Sequence, residues 1–172
     1  MSAETLFNVT PERVDSDERF TPAWLFGALG ETFDLDPASP VEGGDCVPAA
    51  SKYTRVDDGL TQPWTGFVWC NPPFSESTAW AGRFRAHGCG LWLGPVANSR
   101  WFVELTAVSD RVWLMRDFPF DHPTHAGKRS SMPLGMIAMG ARAAAAVDRA
   151  AAMLGPDAGT VVVPAGVLPE QP

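Results

Sequence analysis

Cysteine is scarce in this chain and has no pairing pattern. Cys46, Cys70 and Cys89 are an odd number with no CxxC spacing, which argues against a disulfide framework or a zinc knuckle and fits a reducing compartment. Long apolar runs are missing too. None approaches the roughly 18 residues of a membrane span, although 45% of the residues are hydrophobic, enough for a core. The opening stretch MSAETLFNVTPERVDSDERF has neither the basic start nor the apolar centre of a signal peptide, so a cytoplasmic protein is expected. Positive charge is also in short supply. A net charge of −7 argues, on its face, against the basic footprint that phosphate binding leaves.

That total conceals an asymmetry. Residues 1–74 carry 12 acids and 4 bases, whereas residues 75–142 carry 5 acids and 8 bases. The middle of the chain can therefore face phosphates, with scattered solvated arginines as the competing reading. At 172 residues the chain fits one domain, able to bury roughly two thirds of its unfolded surface.

Residues 1–20 are polar and mostly acidic, without a period, and read as a flexible arm. Thr21-Pro22 reads as a helix start, with the hydroxyl as N-cap and proline at the first helical position, and Gly30 as its end. Residues 33–36 read as a strand, 38–52 as a loop, and the apolar run 66–70 (GFVWC) as a strand buried on both faces of a parallel sheet, which needs helical crossovers. Helices are expected at 77–87, 99–108 and about 142–153, and strands at 90–94, 111–115, 134–139 and 160–163. This alternation predicts an α/β fold with a mostly parallel sheet flanked by helices, over residues 21–164. Residues 117–132 read as a long functional loop, and 165–172 as a loose tail.

Ligands bind open α/β sheets outside the carboxyl ends of the strands, where two unusual tetrapeptides fall: Asp36-Pro37-Ala38-Ser39 and Asn71-Pro72-Pro73-Phe74. Tandem prolines lack N–H groups and fix φ, giving a rigid turn whose carbonyls are free to accept. With the Asn71 amide oxygen beside them, two acceptors stand at fixed separation, suited to gripping both hydrogens of an amino group. The lone pair of a nucleobase amine is delocalised into the ring. Two acceptors on its hydrogens localise it and permit in-line attack on a methyl sulfonium without a strong base. Phe74 offers a stacking surface for a base taken out of the duplex.

NPPF resembles the (D/N/S)-P-P-(Y/F) signature of amino-methyltransferases, and other elements support the likeness in chain order. Thr21-Pro22 is similar to the TP element that closes over S-adenosylmethionine. Leu35-Asp36-Pro37-Ala38 is similar to the cofactor loop after the first strand, and Asp58-Gly59-Leu60 to the element whose carboxylate accepts from the cofactor adenine. Over roughly residues 20–140 the chain resembles the compact Dam-like N6-adenine methyltransferases of bacteriophages and prophages. The resemblance implies a single Rossmann-like domain that uses S-adenosylmethionine. DNA is the implied substrate, with Asn71, Pro72, Pro73 and Phe74 catalytic and Thr21, Pro22, Asp36, Pro37, Ala38, Asp58, Gly59 and Leu60 at the cofactor. Arg100, Lys128 and Arg129 are expected to contact DNA phosphates. Neither a membrane nor a metal is expected.

The chain departs from the family pattern by lacking a GxG in the cofactor loop, where only Gly43 and Gly44 follow several residues late. Asp45 and Asp57 are both open as the residue that holds the ribose. Structural readings stand beside the functional ones: Asp36 as a turn cap, Asp58 as a turn residue before Gly59, Trp101 and Phe102 as core, and Asp121, His122 and His125 as solvated loop residues. The other chemistries that such a turn serves are methylation of RNA adenine, cytosine N4 or protein glutamine. The alternative from another class is a catalytically silent DNA-binding module.

Overall fold

The computed structural model describes residues 19–41, 46–121 and 132–165. Most of the expected arm, most of the 117–132 loop and nearly all of the tail lie outside these residues. One sheet contains β1 (Phe33–Asp36), β2 (Ala49–Lys52), β3 (Val68–Cys70), β4 (Gly90–Pro95), β5 (Arg111–Met115), β6 (Leu134–Met139) and β7 (Gly159–Val162), in the order β2-β1-β3-β4-β6-β5-β7. The helices are α1 (Ala23–Leu29), α2 (Ser77–His87), α3 (Arg100–Thr106) and α4 (Ala141–Leu154).

Strand residues alternate between the two faces of the sheet, and both faces are covered. Trp69, Leu91, Leu93, Trp113 and Met136 point into one core, shared with α1 and α4. Their neighbours Val68, Cys70, Trp92, Val112 and Ile137 point into the other, which contains Trp80, Phe84 and Leu105 from α2 and α3. Trp69, Trp92 and Trp113 are completely buried. Full burial of a large apolar side chain contributes about 1.5–3 kcal/mol, so these rings anchor the central strands. Trp101 and Phe102 pack against the second core, as their structural reading expects.

On α4, Ala143, Ala146, Val147 and Ala150 are buried along one face. Their small side chains let this helix lie close to α1. Glu31, which follows α1, bonds Arg142 at 2.9 Å and Arg149 at 2.8 Å. Burial alone raises the Glu31 carboxyl, but the bonds and charges of these two guanidiniums outweigh it and hold the group below its ordinary range.

The expected α/β sheet is present, with β1 to β5 running one way and β6 and β7 against them: β1–β2, β1–β3 and β3–β4 pair parallel, and β4–β6, β5–β6 and β5–β7 pair antiparallel. Three expectations need correction. The 38–52 loop contains β2, whose register on β1 runs Phe33↔Ala49 to Asp36↔Lys52. Among the described residues no helix connects β1 to β2 or β2 to β3, and the described parts of these two connections are turns, bends and irregular chain. Thr21 does not cap α1 either. Pro22 occupies the N-cap position and no side chain bonds there, because the Thr21 hydroxyl accepts from Asn71 instead.

Along the chain, β2 is laid outside β1 and the path then returns past β1 to β3 and β4. The strand order therefore reverses between β1 and β3, which opens a crevice at their carboxyl ends.

Candidate active site

A cavity of about 340 Å³ occupies that crevice. It is lined by Thr21, Asp36, Pro37, Ala38, Asp58, Gly59, Leu60, Asn71 and Pro73 among the residues singled out from sequence, with Arg19, Ser39, Thr54, Arg55, Glu76 and Trp80 beside them. Pro22, Pro72 and Phe74 adjoin lining residues in the chain but do not themselves line it.

The wall after β1 is strapped to the end of β2. Tyr53 N–H donates to the Asp36 carbonyl at 2.8 Å, and Ser39 N–H donates to the Tyr53 carbonyl at 2.9 Å. Asp36 is buried, and its Oδ1 accepts from Ala38 N–H at 3.1 Å. The carboxylate thus caps the turn, as its structural reading expects, while lining the cavity. Its charge and, more strongly, complete burial push the Cys70 thiol well up, so Cys70 is held as a neutral thiol.

The opposite wall is the 54–61 loop. Asp57 Oδ2 accepts from Thr54 N–H at 2.8 Å and from the Thr54 hydroxyl at 2.9 Å. These bonds, the backbone one foremost, hold its carboxyl below the usual range. Asp57 is engaged within the loop and does not line the cavity; Asp45 lies outside the described residues. Asp58 adopts the left-handed φ of 55° and is exposed at the cavity. Gly59 is buried against the first wall, and a Cβ on it would lie 2.0 Å from the Pro37 carbonyl oxygen. Its own carbonyl accepts from the Trp64 indole at 2.7 Å. Only glycine permits the two walls to meet this closely.

After β3, Asn71 Nδ2 donates to the Arg19 carbonyl at 2.8 Å and to the Thr21 hydroxyl at 3.2 Å. A backbone carbonyl can only accept, which fixes the orientation of the amide. Asn71 Oδ1, buried at the cavity wall, has no hydrogen-bond partner among the described residues. Leaving such an acceptor unsatisfied costs roughly 1–3 kcal/mol. The Pro73 carbonyl accepts from Glu76 N–H at 3.1 Å, whereas no main-chain N–H bonds the Pro72 carbonyl among the described residues. Phe74 opens a short 3₁₀ turn leading into α2, with its carbonyl held by the Ser77 hydroxyl at 2.8 Å. The ring meets Phe120 edge-on, with centroids 6.0 Å apart.

Arg100 lies outside this cavity, at the start of α3. Its side chain is 92% exposed and pairs with Glu104 at 2.6 Å. Lys128 and Arg129 lie outside the described residues. Among the described residues no group of three His, Cys, Asp or Glu could hold a metal, and no helix is long and apolar enough to cross a membrane.

Sequence reasoning missed Arg19, Thr54 and Arg55. Arg19 sits in a polar stretch without periodicity, and only its position just ahead of Thr21-Pro22 could have marked it.

Sheet, crevice and turn define an α/β protein with a cavity outside the carboxyl ends of β1 and β3. Residues 9–115 match the family model of DNA N-6-adenine-methyltransferase (Dam), and since that match spans more than half of the chain, the protein belongs to this family and is by family a DNA adenine methyltransferase. No curated protein and no solved structure matches the chain.

Proposed function

We propose that residues 21–164 form a Rossmann-like domain that transfers a methyl group from S-adenosylmethionine to the N6 amine of adenine in DNA, the base being flipped out to Asn71-Pro72-Pro73-Phe74. The observation that carries this reading is the buried Asn71 Oδ1, which has no partner among the described residues and belongs to a residue that lines the crevice. The next residue in the chain, Pro72, supplies the second acceptor. Together these oxygens accept the two amine hydrogens and localise the nitrogen lone pair, so positioning and electrostatics replace a strong base. Phe74 supplies the stacking face that the base loses on leaving the duplex.

The cavity fits the cofactor in size and chemistry. Its volume falls in the usual ligand range of roughly 300–1,000 Å³, and its walls combine apolar surface with a few polar groups. Thr21, Pro22, Asp36, Pro37, Ala38, Asp58, Gly59 and Leu60 hold the cofactor in this reading, with the Asp58 carboxylate on its adenine. When bound, S-adenosylmethionine supplies an activated methyl on sulfur. Arg100, Lys128 and Arg129 contact DNA phosphates, supported by the positive balance of residues 75–142. Neutralising them should flatten the salt dependence of binding equally for all DNA sequences. A DNA substrate supports a cytoplasmic location.

Transfer of tritiated methyl from S-adenosylmethionine to DNA, RNA and protein, followed by nucleoside analysis, tests the reaction. N6-methyladenine in DNA is expected; label appearing only in RNA, N4-methylcytosine or protein would replace the substrate, and no label anywhere would sink the reading. The cofactor site has its own check. A ligand at a hundredfold excess over its Kd stabilises the folded state by about 2.7 kcal/mol, so S-adenosylmethionine should raise Tm. Asp58→Ala should reduce that rise; since the side chain is exposed, its unliganded Tm should fall only by the cost of alanine at φ 55°, roughly 1 kcal/mol. An undiminished rise would remove Asp58 from the site.

A further inference from the structure

Arg19 has no place in the scheme above, yet it lies against two of the four residues of the turn. Its backbone carbonyl accepts from Asn71 Nδ2 at 2.8 Å, and its guanidinium lies over the Phe74 ring, with Cζ 4.5 Å from the centroid. The backbone on either side of this contact is tied down. Phe20 exchanges both main-chain hydrogen bonds with Asp121, each of 2.9 Å, and the Thr21 hydroxyl is bonded to Asn71. The segment is therefore a strap, fixed at the end of β3 and just beyond β5, from which one long flexible side chain reaches across the aromatic face.

That face is the surface on which the target base stacks in the reading above. A guanidinium is planar, cationic and weakly hydrated, and it stacks on aromatic rings of any kind. We propose that Arg19 forms the second wall of the target-base slot: its guanidinium moves outward by one ring thickness as the base enters and then covers the outer face of the base, which is sandwiched against Phe74. Only the side chain has to move, since the strap is held by backbone bonds. Arg19 is thus a positioning residue for the flipped base, and the inference rests on Phe74 being the inner wall.

The test uses the full chain with Arg19→Ala and Arg19→Lys, both of which keep the backbone carbonyl that holds Asn71. Arg19→Ala should raise KM for DNA about tenfold, in line with loss of a desolvated cation–π contact. Its kcat should change less than threefold, because the backbone carbonyl that holds Asn71 is retained, and its Tm should fall only by the small amount that a partly exposed cation–π contact contributes. Arg19→Lys keeps the charge but loses the planar stack, so it should recover only a small part of the loss. A second readout does not depend on turnover: quenching of a single-stranded oligonucleotide carrying 2-aminopurine on binding should weaken in both Arg19→Ala and Phe74→Ala. Parental KM in Arg19→Ala would overturn the proposal. Full rescue by lysine would also overturn it, making Arg19 a phosphate contact. If the parent methylates no DNA, the proposed reaction falls, and the quenching series still decides whether Arg19 and Phe74 enclose a base.

Discussion

Asn71→Ala protein is expected to fold and to keep its stabilisation by S-adenosylmethionine, but to methylate DNA roughly 10²–10³-fold more slowly, a loss of about 3–4 kcal/mol of transition-state stabilisation. The asymmetry follows from the two ends of one amide. Nδ2 faces the strap, where it bonds the Arg19 carbonyl and the Thr21 hydroxyl, while the buried Oδ1 has no partner among the described residues. Truncation to alanine removes an oxygen that stabilises nothing else among the described residues, so its cost falls on the chemical step. Removing Nδ2 loosens the strap, and a small decrease in Tm accompanies the kinetic loss. Asn71→Asp separates the two ends. It retains an acceptor but sets a carboxylate against the Arg19 carbonyl, so it should keep partial activity and lose more stability than alanine does. Single-turnover methylation of an adenine-containing duplex, with thermal unfolding run in parallel, measures both. Parental turnover in a folded Asn71→Ala protein would reduce the Asn-Pro-Pro-Phe turn to architecture.

The elements most legible in sequence are those whose side chains alone decide their place. Val68-Trp69-Cys70 and Leu134–Met139 are apolar throughout because both of their faces are covered, and that pattern is visible without any partner. Strand β2 is the opposite case. Ala49-Ala50-Ser51-Lys52 lies at the sheet edge, largely exposed, and becomes a strand through backbone pairing to β1. Small and polar residues carry no signal of that pairing. Strand direction was hidden for a related reason: an apolar run reads the same whether its neighbour is parallel or antiparallel, and nothing in Leu134–Met139 marks β6 as a reversed strand.

The site divides along the same line. Asp36-Pro37-Ala38, Asp58-Gly59-Leu60 and Asn71-Pro72-Pro73-Phe74 are legible because rare residue combinations mark them. What binds them into one cavity is not legible. Arg19 meets Asn71 through a main-chain carbonyl, which every residue possesses. Thr21 stands next to the site, but its hydroxyl serves an amide 50 residues away rather than the helix it precedes. Asp57 and Asp58 are adjacent and chemically alike. One is taken up by Thr54 and the other, at φ 55°, reaches the cavity; the difference lies in backbone conformation alone.

That backbone conformation makes Gly59→Ala the most disruptive single methyl in the cavity wall. The new Cβ would lie 2.0 Å from the Pro37 carbonyl oxygen and 3.2 Å from the edge of the Trp80 ring. Neither wall yields easily. The turn at Pro37 is held by Ala38 N–H on Asp36 and by Tyr53 on the Asp36 carbonyl, and Gly59 is held by Trp64. Relief therefore requires the 54–61 loop to move away from the Asp36-Pro37-Ala38 wall, which widens the crevice and carries Asp58 with it. Overpacking of this kind costs about 1–3 kcal/mol, and the Tm rise with S-adenosylmethionine should fall below that of Asp58→Ala, because the variant loses the shape of the cavity as well as one contact. Gly27→Ala and Gly82→Ala are the internal controls. Both glycines lie within helices where a Cβ meets nothing within 4 Å, so alanine should stabilise by about 0.5–1 kcal/mol and leave cofactor binding intact. Thermal unfolding of the three variants, with and without S-adenosylmethionine, measures the contrast. If Gly59→Ala matched the parent in both Tm and cofactor-induced rise, the two walls would not be in close contact in solution, and the cavity would not be shaped by their meeting.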